Sequence, residues 1–449
     1  MQADRTGKPV LVSSATAIDN RMDPLAFFSL DSSAFSGRRF FWSNPERDTT
    51  FVGLGWAVSS GLTYSETRFR DIEHFWRDLT EHALVSADAP ETAGPLFFGG
   101  FSFDPVKPQT ELWRKFSHAR FVVPRYMLTV SSGKVWLTVN RLVMPGEEAD
   151  LSGEQMFSNA VFTRRSSRFA LELMKEEVAP AQWMKSVEEA TASIRNREFE
   201  KVVLAREVRL YAREPFDVPE ALSRLCTEQN NTYIFAFEQG EDCFIGATPE
   251  RLVKSSGKRI LSACLAGSIA RGATAAEDEQ LGKKLICDAK NLHEHALAVR
   301  LVAETMSEVC EPVQMPKAPE LYTLKDIQHL YTPVAGVAKE GVSIMKVVEA
   351  LHPTPALGGL PRQAAVKAIR RLEALDRGWY AAPIGWMNRR MDGEFAAAIR
   401  SALIQRNEAS LFAGCGIVEH SDPVSEYNET ALKFRPMLSA LRALDKDDA

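Results

Sequence analysis

The residues with chemistry to offer lie in the second half of the chain. Near its end, Ser421-Asp422-Pro423 reads as a helix start with proline in the first turn, leading into Glu426, Glu429 and Lys433 on one helical face. A second helical pattern opens at Asp288 and carries Asn291, His293, Glu294 and His295 before running on through Leu301 and Met306. Oxygen-only clusters of carboxylates suit a hard cation such as Mg²⁺, which keeps waters and leaves room for an anionic ligand. The alternative is a solvated acidic face, with Glu429 and Lys433 as a surface pair. His293 and His295 point to different faces of a helix, whereas a zinc pair needs i and i+4, so zinc is rejected.

Other side chains suit anion binding and proton transfer. Arg400 reads as a strand residue sharing a face with Ala398 and Ala402, small neighbours that leave room for a carboxylate. After a turn near Arg406-Asn407-Glu408, the next strand ends in Gly414-Cys415-Gly416, whose backbone N–H groups could cup an anion. Together with Lys433 these make a candidate anion cradle; for Arg400 the alternative is a structural ion pair. The full glycine fingerprint of a dinucleotide site is missing. Lys201 heads the apolar strand Lys201-Val202-Val203-Leu204-Ala205-Arg206. A lysine in apolar surroundings can serve as a neutral general base, unless it reaches out to water. Glu250 follows a short apolar strand, and a carboxyl near apolar groups can stay protonated as a general acid; pairing with Arg251 is the alternative.

These side chains need a scaffold. Residues 1–175 alternate short β-like runs with turns, among them Arg39-Phe40-Phe41-Trp42, residues 51–56 and residues 96–101. Residues 144–154, acidic and turn-rich, predict a surface excursion. From Gln182 the signals strengthen: a helix over 183–197, a strand over 199–210, then alternating strands and helices. The 449 residues carry 54 Lys+Arg against 59 Asp+Glu, a net charge of −5, with 45% hydrophobic and 25% charged residues. That is the composition of a soluble globular protein with a sizeable core, and it argues against wholesale nucleic-acid binding. At ~150 residues per domain, length alone suggests about three domains. No apolar run approaches the ~18 residues of a membrane span, and Met1-Gln2-Ala3-Asp4-Arg5 does not read as a secretory signal. Six cysteines without a C-x-x-C pair suit reduced thiols, so a cytoplasmic protein is expected.

Read in order, ten segments resemble the chorismate-utilising enzyme family: KVVLARE (201–207), IGATPERL (245–252), LAGSIARG (265–272), NLHEH (291–295), QHLYTPVAG (328–336), LHPTPALGGLP (351–361), RGWYAAPIGW (377–386), GEFAAAIRSALI (393–404), FAGCGIV (412–418) and SEYNETALKF (425–434). They span about 230 residues, while the first half resembles the family only through features such as FVGLGWA and GGFSFDP. The resemblance implies an α/β (α+β) fold: one large unit of two stacked antiparallel β-sheets with flanking helices. Residues 1–175 would be the scaffold half and 176–449 the chorismate-binding core of one compact domain.

Within the family, anthranilate synthases usually carry Gln in place of Lys201, aminodeoxychorismate synthases often a nucleophilic Lys in place of Ala266, and lyase members a Thr in place of Ala356. The combination Lys201, Ala266 and Ala356 is similar to isochorismate synthases, which are isomerases, and the long first half together with LHPTPALGGLP, RGWYAAPIGW and FAGCGIV is most similar to the menaquinone-pathway branch. The alternatives are the same reaction in siderophore or salicylate biosynthesis, or a chorismate lyase giving salicylate or anthranilate. By resemblance, Lys201 activates water for attack at C2 of chorismate and Glu250 protonates the departing C4 hydroxyl. Glu294 and Glu429 would hold Mg²⁺, with Glu426 in the outer shell. Asn291 stands where relatives often have an acidic residue, and is left at most an outer-shell role. Arg400, Lys433, Gly414 and Gly416 would hold the enolpyruvyl carboxylate, with Gly267, Ser268 and His329 bordering the ring, and Tyr380 and Ala356 nearby. The expected partner is chorismate alone, with no nucleic acid or membrane, in a monomer or weak dimer.

Overall fold

The computed structural model describes residue 3 and residues 7–18, 22–30, 34–62, 66–148, 151 and 173–443. The first half supplies strands β1 (Val10–Ile18), β2 (Arg39–Ser43), β3 (Thr49–Leu62), β4 (Leu84–Val85), β5 (Leu96–Phe101), β6 (Ala119–Ser131) and β7 (Lys134–Val143). The second half continues with β8 (Leu173–Glu177), β9 (Lys201–Ala212), β10 (Tyr233–Gln239), β11 (Asp242–Thr248), β12 (Arg251–Ser256), β13 (Arg259–Ala270) and β14 (Cys310–Gln314). It closes with β15 (Glu320–Thr323), β16 (Ile327–Ala338), β17 (Gly359–Leu360), β18 (Pro383–Asn388), β19 (Gly393–Ala397), β20 (Ser401–Gln405) and β21 (Glu408–Ile417). The helices are α1 (Pro24–Phe28), α2 (Arg68–Thr80), α3 (Pro180–Arg195), α4 (Val218–Glu228), α5 (Ala275–Cys287), α6 (Ala289–Val309), α7 (Ile344–Leu351), α8 (Arg362–Leu372) and α9 (Pro423–Ala440). The helix expected over 183–197 is thus α3, and the strand expected over 199–210 is β9. Residues 144–148 of the expected surface excursion are exposed; most of the rest of it lies outside the described residues.

Every pairing except β1–β4 is antiparallel, and the pairings form two arms that meet at β6. One arm runs β1–β7–β6–β3–β2–β10–β11–β20–β21–β9. The other leaves β6 as β5–β18–β19–β12–β13–β16. The two layers are therefore one continuous hydrogen-bonded network, and it mixes strands from both halves of the chain, as at β2–β10 and β5–β18.

Alternating apolar residues line the inner faces, so the arms stack with aromatic side chains between them. Phe40 of β2 stacks on Phe98 of β5 with centroids 4.3 Å apart, and Phe51 of β3 meets Trp386 of β18 edge-on at 4.9 Å. Helices cover the outer faces. Buried residues of α1, α4 and α9 close one arm, and those of α2, α6 and α7 close the other. Among the described residues no helix is long and apolar enough to cross a membrane.

Candidate active site

The chain changes arm at two neighbouring places, and each carries a charged residue into the gap. Between β11 and β12 it crosses through Pro249-Glu250; between β19 and β20 it crosses back through Ala398-Ile399-Arg400. The crossings are bonded to each other: Ala397 N donates to Glu250 O at 3.0 Å and Ala247 N to Arg400 O at 3.0 Å. Arg400 is therefore not the mid-strand residue expected from its alanine neighbours. β19 pairs within one arm and β20 within the other, so the three residues between them must turn, and Arg400 takes φ 51°. A left-handed backbone at a non-glycine residue costs about 1–3 kcal/mol and persists where its surroundings over-determine it.

Around these crossings lies a cavity of about 120 Å³. Lys201 enters it from β9, and Gly414 and Gly416 from β21. β21 loses its β20 partner beyond Phe412, so its last residues form an open edge on the cavity. The facing wall is β13 with Gly267 and Ser268, and β16 with His329. β13 bulges between Ala266 and Ser268, with Gly267 at φ 75°. Glu294 comes from α6, Glu429 and Lys433 from α9, and Ala356 and Tyr380 from loops. Residues more than 200 positions apart thus share one cavity because two helices and both arms end on it.

The helices start as their sequences dictate. Asp422 caps α9 by accepting from Ser425 N, with Pro423 next, and Asp288 caps α6 by accepting from Asn291 N. Asn291 also donates its side-chain amide to Asp288 at 2.8 Å, and it does not line the cavity. Neither does Glu426, whose carboxyl is pushed up by burial and by the charge of Glu429. His295 is tied between Ala266 O at 3.1 Å and Thr332 Oγ1 at 2.7 Å.

Two lysines of the cavity are paired with carboxylates, while Arg400 and Glu250 make no ion pair among the described residues. Lys201 Nζ donates to Glu294 Oε1 at 2.7 Å. Lys433 Nζ donates to Glu429 Oε1 at 2.6 Å and to the Gly414 carbonyl at 2.9 Å, so Gly414 turns an acceptor, not only an amide, toward the site. Arg400 is 7% exposed and makes no ion pair among the described residues. A buried cation without a carboxylate is costly, and an anionic ligand offsets that cost. Arg251, the alternative partner for Glu250, instead reaches Tyr233 Oη at 2.6 Å and Glu394 at 3.2 Å. Burial pushes the Glu250 carboxyl up to about 7, against the pull of Arg400, Lys433 and Lys201, so near neutrality it holds a proton to give. Burial, aided by Arg400 and Lys433, pushes His329 down to about 3, which keeps the ring neutral. Its Nδ1 meets Ser268 Oγ at 2.8 Å, and its buried Nε2 has no partner among the described residues. The Tyr380 phenol is pushed up by burial.

Among the described residues no three His, Cys, Asp or Glu side chains converge as a metal cage. Glu294 and Glu429 nonetheless open on the same cavity, and as oxygen donors they fit a hard cation that keeps waters and takes further oxygens from an anionic ligand. Sequence reasoning did not single out Leu357, Ala381 and Ile399, which also line the cavity. Their side chains carry no polar group, and though they fall within the segments 351–361, 377–386 and 393–404, nothing in their residue types marked them as site residues.

A family model described as chorismate binding enzyme matches residues 1–442. The chain belongs to the chorismate-binding enzyme family. The match covers the first half as well, where the motifs resembled the family only loosely. Among chorismate-binding enzymes, the chain is 42% identical to isochorismate synthase MenF of Bacillus subtilis, over 98% of this chain and 95% of that protein. It is 36% identical to the salicylate biosynthesis isochorismate synthase of Pseudomonas aeruginosa, over 99% of this chain and 92% of that protein. The solved structure of MenF, the menaquinone-specific isochorismate synthase from Escherichia coli, matches with a TM-score of 0.81 at 26% identity, covering 97% of this chain and 95% of that one.

Proposed function

We propose that the protein is an isochorismate synthase, an isomerase that moves the hydroxyl of chorismate from C4 to C2, and that it serves menaquinone biosynthesis. The observation that carries this reading is an acid and a base opening on one cavity that also holds an unpaired cation: Glu250 protonated near neutrality, Lys201 on β9, and Arg400 between the arms. Lys201 takes a proton from water, whose oxygen bonds to C2. The ring double bonds shift, and the C4–O bond breaks as Glu250 delivers its proton to the departing hydroxyl, which leaves as water. One water enters and one leaves, so the reaction is a net isomerisation. The tie to Glu294 fixes where the Lys201 Nζ stands, and the lysine acts as the base only once that ammonium has given up a proton.

Arg400 and Lys433 hold the enolpyruvyl carboxylate, while the neutral His329, backed by Ser268, offers its free Nε2 to the ring side. Holding both ends of the substrate matters because orientation decides which carbon meets the water. Glu294 and Glu429 would hold Mg²⁺, with Glu426 in support from outside the cavity, and the cation would supply counter-charge for the ring carboxylate. Ala356, where lyases carry Thr, supports the isomerase over the lyase reading. The two halves act as one unit, in the cytoplasm, as a monomer or weak dimer.

The test is a product assay. Purified protein with chorismate and Mg²⁺ yields isochorismate and no pyruvate, and chelation by EDTA abolishes turnover until Mg²⁺ is restored. Pyruvate released without an added lyase would refute the isomerase reading. A further expected result concerns Gly416, where a Cβ would lie 2.7 Å from Lys201 Cε. Gly416→Ala displaces the flexible lysine rather than the sheet, so kcat falls by at least ~10-fold, a loss of only ~1.4 kcal/mol of transition-state stabilisation, while the melting temperature stays near wild type. Unchanged kcat would show that Lys201 does not need that space.

A further inference from the structure

The strand that carries Lys201 loses its neighbour just where the cavity begins. β17 covers β9 only at Lys201 and Val202, and beyond it Val203 N donates to Gly358 O at 2.9 Å. The next two edge groups of β9 are met by side chains. Arg377 Nη2 donates to Val203 O at 2.7 Å, and Ala205 N donates to Glu373 Oε1 at 2.7 Å. The two side chains bond each other twice, Nε to Oε2 at 2.9 Å and Nη2 to Oε1 at 2.5 Å, and are 3% and 1% exposed. The remaining arm of the guanidinium, Nη1, donates to Leu357 O at 3.0 Å, next to Ala356.

This ion pair stands in for a missing strand. On one side it grips β9 two residues from Lys201, and on the other the loop that carries Ala356 and Leu357; side chains from both elements line the cavity. The first half of the chain braces it: the Arg377 guanidinium lies 4.3 Å from the Phe103 ring centroid, and Lys107 Nζ donates to Glu373 O at 3.0 Å. We propose that Arg377 and Glu373 are positioning residues for the reaction, setting Lys201 against the Ala356 loop. The proposal rests on the isochorismate synthase reading above. It follows from geometry: the planar fork of Arg377 makes four hydrogen bonds at once, to two carbonyls and both oxygens of a carboxylate, and an ammonium with three donors cannot match them.

The experiment measures steady-state kinetics of full-length wild type, Arg377→Lys, Glu373→Gln and the double variant with chorismate and Mg²⁺. The expected result is a kcat lower by ~10- to 100-fold, the scale of a misplacement of about 1 Å. KM for chorismate stays within about threefold, because Arg400 and Lys433 are untouched. The double variant is no worse than the poorer single one, since the pair acts as a unit. Thermal melts check the fold; where Arg377→Lys fails to melt cooperatively, the near-isosteric Glu373→Gln decides. A kcat within twofold of wild type in the folded variants overturns the proposal, and so does a loss confined to KM. If wild type itself makes no isochorismate, the functional reading has failed instead, and the two failures are distinguishable.

Discussion

Lys201→Ala is expected to lower kcat by ~10²–10⁴-fold, the usual contribution of a positioned general base, while chorismate still binds in the presence of Mg²⁺. Binding survives because the groups proposed to hold the substrate lie on other elements: Arg400 on the crossing between β19 and β20, Lys433 on α9, and His329 on β16. The fold survives because Lys201 forms no part of the apolar core and its ion-pair partner Glu294 is 32% exposed, open enough for water to replace the ammonium. Steady-state rates alongside equilibrium binding of chorismate, followed by intrinsic fluorescence, separate the two effects. Full turnover in the variant would remove Lys201 from the role of base, and a loss of binding with kcat retained would make it a substrate anchor instead.

The candidate site was legible from the sequence to the extent that its chemistry is carried by charged and glycine residues in short motifs. Lys201, Glu294, Glu429 and Lys433 could be placed on a strand and two helices from capping residues and periodicity, since Asp288 and Asp422 mark where those helices begin. Arg400 shows the limit of that method. Small apolar residues on both sides of it mimic a continuous strand, and what breaks the strand is the pairing of β19 and β20 with different arms, a long-range fact that local pattern does not contain. The Arg377–Glu373 pair was illegible for a similar reason. Its partners are backbone groups of β9 and Leu357, and backbone acceptors leave no mark in residue types. The first half was read only as strands and turns. Its aromatic residues turn out to fill the space between the arms, and Phe103 and Lys107 brace the clamp beside the site.

Glu250 gives the second large effect, and its sign follows from burial. The carboxyl ordinarily titrates at 4.5; in the folded protein it is pushed up to about 7. The form needed to protonate a leaving hydroxyl is the neutral acid, so the ionisation of Glu250 leaves kcat/KM of the free enzyme untouched below this value and lowers it ~10-fold per pH unit above it. The same displacement affects stability. The folded state favours the protonated carboxyl, so this contribution is fully present below pH 4.5 and is lost as pH rises through about 7, leaving a difference of about 3 kcal/mol. Glu250→Gln keeps the shape and a hydrogen-bond donor but has no proton to give. It should therefore lose ~10²–10⁴-fold in kcat, lose the alkaline limb assigned to this residue, and unfold at a higher temperature than wild type above pH 7. Arg400 exerts the largest pull opposing the rise. Neutralising it in Arg400→Gln moves the limb to higher pH while KM rises, because one charge both tunes the acid and binds the carboxylate. An alkaline limb that stayed in place in Glu250→Gln would belong to another group and would remove Glu250 from the role of acid.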